Sequence, residues 1–114
     1  MDKKRVNYLR EKLDKAVGPA MFLLRNELKF SREETNYIAL FDASSRSFIL
    51  KLHSRIFKKI KKAHAELNYD CGLTFYEDRN EVIISTDHDR EGIRILDVIL
   101  DKKVDELLKE KKNE

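Results

Sequence analysis

The chain has 114 residues, with 24 Lys and Arg against 21 Asp and Glu, and 41% of it is hydrophobic. That length fits one domain, and about 47 apolar residues are enough to build a core even though 39% of the chain is charged. The apolar run Ala20–Leu24 is far too short for a membrane span, no apolar segment follows Met1-Asp2-Lys3-Lys4-Arg5 as a secretory signal would require, and the lone Cys71 has no partner for an internal disulfide, so a reducing, cytoplasmic setting is expected.

A first helix is expected over residues 2–16, because Val6, Leu9, Leu13 and Ala16 recur at spacings of three and four. Gly18-Pro19 should interrupt it, with Pro19 opening a second helical piece that carries Met21, Leu24 and Leu28. Ser31-Arg32-Glu33-Glu34 spells a capping box, followed by the poor helix formers Thr35 and Asn36. Residues 36–53 can be read two ways. Ile49, Leu52, Ile56, Ile60 and Ala63 would share one helical stripe, whereas Phe48, Leu50 and Leu52 alternate with Lys51 and His53 as in a strand. The turn-forming cluster Asp42-Ala43-Ser44-Ser45 favours the second reading, a hairpin of residues 37–41 and 48–52. A helix over 54–67 follows, with Ser54 available to cap it. Residues 72–76 and 81–86 form a second hairpin around Glu77-Asp78-Arg79-Asn80, and a long helix runs from about residue 90 on Ile93, Leu96, Leu100, Val104 and Leu107.

The expected class is therefore α+β in a single domain, 1–114. N-terminal helices over 1–30 precede a core over 36–108, built of two strand–strand–helix units that form a four-stranded antiparallel sheet with helices on one face. Residues 109–114 should fray into solvent.

The modest net charge of +3 hides an uneven layout. Residues 46–65 hold seven cations, Arg46, Lys51, Arg55, Lys58, Lys59, Lys61 and Lys62, and no acid, whereas residues 66–91 hold eight acids and two bases. Like charges three and four residues apart on a helix repel, so such a helix is most easily understood if something anionic meets it. Nucleic-acid phosphate is the commonest partner of that kind, and all seven cations are candidate DNA or RNA contacts, gripping phosphates without reading sequence. A protein partner is the alternative: an inhibitor or adaptor with a bipolar surface would dock a charged protein, and a homodimer fits the same charge layout. Strand aromatics Tyr37, Phe41, Phe48, Phe75 and Tyr76 either fill the core or stack on unpaired bases, with Tyr37 and Tyr76 the best placed to stack.

The apolar strand ending Ile83-Ile84-Ser85 leads into Thr86-Asp87-His88-Asp89-Arg90-Glu91-Gly92. Over about ten residues this resembles the Asp-x-Asp signature of Toprim domains in topoisomerases, primases and small nucleases. The resemblance implies that Asp87 and Asp89 bind Mg²⁺ during phosphoryl transfer, in a sheet that is mostly parallel. Read from the residues alone, the same pair caps the free N–H groups at the start of the following helix and meets the positive end of its dipole. His53, His64, His88 and Cys71 share no zinc-ligand spacing, Ser44, Ser45 and Ser47 lie in no Gly-x-Ser-x-Gly context, and three glycines make no phosphate loop. No catalytic residues are assigned, and the reading is of a binding protein rather than an enzyme.

Overall fold

Leu9, Leu13, Ala16, Val17, Ala20, Met21 and Leu24 form one buried stripe along α1 (Lys3–Asn26), which is a single helix of 24 residues. The expected break at Gly18-Pro19 does not occur. Pro19 has no N–H to offer the Lys15 carbonyl and strains the preceding turn. Its ring lies on the exposed side, however, and the buried stripe continues unbroken through it, so packing on the core outweighs the local penalty. The computed structural model describes residues 3–68, 72–86 and 89–112.

The single turn α2 (Arg32–Thr35) is held by the capping box its sequence spells. The Glu34 N–H donates to Ser31 Oγ at 3.1 Å, and the Ser31 N–H donates to Glu34 Oε1 at 3.2 Å. The helix stops at Asn36, which is extended and leads into β1 (Tyr37–Asp42). Between β1 and β2 (Ser47–Leu52) the Asp42 carboxylate accepts from the Ser44 N–H at 3.0 Å and from the Ser45 hydroxyl at 2.9 Å, and Arg46 takes the left-handed conformation, φ 50°. That turn decides residues 36–53 in favour of the hairpin. Helix α3 (Ser54–Leu67) follows, capped by His53 and not by Ser54: His53 Nδ1 accepts from the Arg55 N–H at 3.2 Å. Strands β3 (Leu73–Tyr76) and β4 (Glu81–Ser85) make the second hairpin, with Asn80 at φ 54° in its turn, and α4 (Asp89–Lys112) continues past the expected end of the core.

The four strands lie in the order β1-β2-β4-β3, every neighbouring pair antiparallel. Alternation sends Phe48, Leu50, Leu52, Leu73, Val82 and Ile84 to one buried face, with Tyr37, Ala39, Phe41 and Phe75 packed around them. All the long helices cover this face. Tyr37 Oη donates to Asp14 Oδ1 at 3.3 Å, setting α1 over β1, while the Phe57 and His64 rings lie 5.8 and 4.9 Å from Phe75, setting α3 over β3. Between them runs α4, whose Leu96, Ile99, Leu100 and Val104 are buried. The architecture is α+β, with helices on one face of the sheet. Among the described residues no helix is long and apolar enough to cross a membrane.

Candidate nucleic-acid interface

On α3 the apolar positions Ile56, Phe57 and Ile60 are buried, which turns the cations outward or to the flanks as the spacing requires. Several are already engaged. Arg55 Nη1 donates to Glu34 Oε2 at 3.0 Å, its guanidinium lying 4.3 Å from the centre of the Phe30 ring. The Ser31 N–H and then the Arg55 partner hold the Glu34 carboxyl below its ordinary value of 4.5. Lys59 is half-buried with its ammonium 5.4 Å above the same ring; burial first, then Arg55 and Lys103, push its pKa down from 10.5. Lys61 is paired with Glu77, whose carboxyl it lowers. Lys58 and Lys62 are exposed and make no hydrogen bond or ion pair among the described residues.

Arg46 and Lys51 do not join this surface. Arg46 lies in the β1–β2 turn, where its carbonyl accepts from the Thr86 N–H at 3.0 Å. Lys51 alternates out of phase with the buried Leu50 and Leu52 and so stands on the sheet face opposite the helices. The seven sequence-predicted cations are thus spread over three surfaces. Of the strand aromatics, Phe48 is buried, Tyr37, Phe41 and Phe75 pack at the margin of the core, and Tyr76 is 40% exposed on the bare face, with the Arg79 guanidinium 4.6 Å from its ring.

A more concentrated basic site lies between α1 and α4. Tyr8, Lys12 and Lys15 flank the buried Leu9 and Ala16 on one wall. Arg90, Arg94 and Asp97 flank Ile93 on the other, and together they enclose a groove of about 590 Å³. Spacings of three and four put each set on one side of its helix, just above the apolar seam that joins the two. Farther along the seam Leu24 meets Leu100, Val104 and Leu107, so the helices run side by side in the same direction. Among the described residues, four cations face one carboxylate. Burial and then the neighbouring Asp101 raise the pKa of Asp97 above its ordinary 3.8. Lys12 Nζ lies 5.4 Å over the Tyr8 ring, which is itself 51% exposed. The sequence carries a signal for this site, since cations border the apolar stripe on both helices. Pairing two segments some 75 residues apart is what charge counting along the chain cannot supply.

Asp87 lies outside the described residues, and so does the side chain of Asp89, whose backbone opens α4. Two carboxylates alone hold Mg²⁺ only weakly, with water supplying most of its shell. Among the described residues no three His, Cys, Asp or Glu side chains gather as a metal site. The sheet is antiparallel throughout, whereas the Toprim resemblance implies a mostly parallel one. Comparison with protein-family models, curated proteins and solved structures finds no match to this chain.

Proposed function

We propose that this protein binds nucleic acid, and that the α1–α4 groove is its main phosphate-contacting surface. The observation that carries the reading is the convergence of Lys12, Lys15, Arg90 and Arg94 on one groove that holds, among the described residues, a single acid, Asp97. Low-dielectric helix walls on either side strengthen the attraction these cations exert on an anion between them. The positive charge also extends beyond the groove. Residues 3–15 of α1 carry six cations, Lys3, Lys4, Arg5, Arg10, Lys12 and Lys15, against Glu11 and Asp14. Twelve helical rises span about 18 Å, a length that suits a run of backbone phosphates better than one small anion. The exposed Tyr8 ring can stack on an unpaired base beside those contacts. Contacts of this kind position the partner without reading bases, so binding is expected to tolerate sequence and to weaken steeply with salt. Because Arg55 and Lys61 are paired with acids and Lys59 is partly buried, α3 contributes only Lys58 and Lys62 as a secondary patch.

Fluorescence anisotropy with labelled duplex and single-stranded oligonucleotides at low salt tests this. The Lys12→Glu/Arg94→Glu variant should lose most binding, and Lys58→Glu/Lys62→Glu should keep most of it. The reverse ranking would move the interface to α3. A wild-type protein that binds neither strand form would overturn the reading.

A further inference from the structure

Side chains pointing away from the helices form a bare sheet face, and the strand register arranges them in rows. One row reads Ile38, Lys51, Glu81, Tyr76 across β1, β2, β4 and β3; the next reads Leu40, Ile49, Ile83, Thr74. Ile38 and Leu40 are 54% and 55% exposed. A sheet with one wet face shows strict apolar–polar alternation, whereas strands covered on both faces read as unbroken apolar runs. Here Tyr37-Ile38-Ala39-Leu40-Phe41, Phe48-Ile49-Leu50 and Val82-Ile83-Ile84 are unbroken. The strands have the composition of a sheet covered on both sides, yet among the described residues only one side is covered.

We propose that a second copy of this chain covers the bare face, in a dimer whose two sheets pack face to face about a twofold axis. Charge complementarity selects this occupant. The row containing Lys51 and Glu81 has one charge of each sign on the two central strands, so a polyanion gains little there. A twofold axis lying in the interface, parallel to the strands and between β2 and β4, sets β2 of one copy over β4 of the other. It then places Lys51 against Glu81 of the second copy, twice, and Ile49 against Ile83 of the second copy, twice. Ile38 falls against Tyr76 of the second copy. This is the self-complementarity an isologous contact demands, with the sheets in the aligned packing common to sandwiches. Arg79, 3.3 Å from Glu81 and stacked on Tyr76, braces the same row. Four strands about 4.8 Å apart and roughly five residues long give a face of roughly 320 Å², so the two faces together bury on the order of 600 Å², short of the roughly 1,000 Å² of a stable specific interface. The dimer is therefore weak and reversible. The α1–α4 groove lies on the opposite layer, so the dimer leaves both grooves open and does not depend on the nucleic-acid reading.

Sedimentation equilibrium on the full chain, from about 5 to about 500 µM, tests the proposal. Wild-type protein should show a monomer–dimer equilibrium. Lys51→Glu and Glu81→Lys should each weaken it by about tenfold or more, since each replaces two attractive contacts with two repulsive ones. Mixing the two variants one to one should restore dimerisation, because a carboxylate at 51 then meets an ammonium at 81 across the interface and the reverse pair is also complementary. Circular dichroism checks the fold of each variant; Lys51 is exposed, so its variant should fold. A wild-type protein monomeric throughout the range, a Lys51→Glu variant that dimerises as the wild type does, or a mixture no tighter than its components would each overturn the proposal.

Discussion

Replacing Lys12 and Arg94 by Ala removes one cation from each wall of the α1–α4 groove and touches no core side chain, since both residues are exposed. With four groove cations on phosphate, the logarithm of the binding constant on duplex should fall against the logarithm of salt with a slope of about −3.6, at roughly 0.9 per neutralised phosphate. The double variant keeps Lys15 and Arg90 and should fall with a slope of about −1.8. Between about 50 and about 200 mM salt the wild type then loses roughly 150-fold in affinity and the variant only about 12-fold. The two curves converge at high salt and diverge at low salt, a pattern that simple unfolding does not produce. Anisotropy titrations of one labelled duplex at four or five salt concentrations give both slopes, and a scrambled duplex should give the same values. An unchanged slope in the variant would refute the assignment of phosphate contacts to this groove.

Asp97→Asn should tighten nucleic-acid binding in the same assay, because it deletes the one carboxylate that lines the groove among the described residues. It should not lower thermal stability at neutral pH: the pKa of Asp97 is raised in the fold, so ionisation above 3.8 disfavours the native state and Asn relieves that penalty. Glu34 works in the opposite direction. Its depressed pKa contributes stability that is present above 4.5 and lost as pH falls through the lowered value, so urea midpoints of wild type and Glu34→Gln should differ at neutral pH and draw together in acid. Pro19→Ala should raise stability by about 1–3 kcal/mol, because Pro19 lies inside a continuous helix where its ring and missing N–H are unfavourable. An unchanged urea midpoint would instead fit a helix that starts anew at Pro19.

Local signals account for most of the fold. The second hairpin, α3 and α4 follow from alternation and three-to-four spacing, and the capping box at Ser31–Glu34 is spelled out in four residues. Continuity of α1 through Pro19 was not legible, because it depends on Val17, Ala20 and Met21 finding a core that only the folded chain provides. The cap of α3 passed to His53 because an imidazole nitrogen can accept the Arg55 N–H as a hydroxyl would. Charge density along the chain pointed to residues 46–62, but pleat alternation, the β1–β2 turn and ion pairs with Glu34 and Glu77 divide those cations among different surfaces. The groove became visible only when α1 and α4 met. In the same way, the apolar residues of β1, β2 and β4 were legible, while their division into a covered and a bare face required the sheet order.

Backbone chemical shifts of the ¹⁵N-labelled protein, followed as a short oligonucleotide is added at low salt, test the central claim most directly. Saturable shifts should map to Tyr8, Lys12, Lys15, Ile93 and Arg94, on the two walls of the groove, with smaller changes at Lys58 and Lys62 and none at Lys51 or Leu40 on the bare sheet face. Shifts confined to α3 or to the sheet face, or no shifts at all, would contradict it.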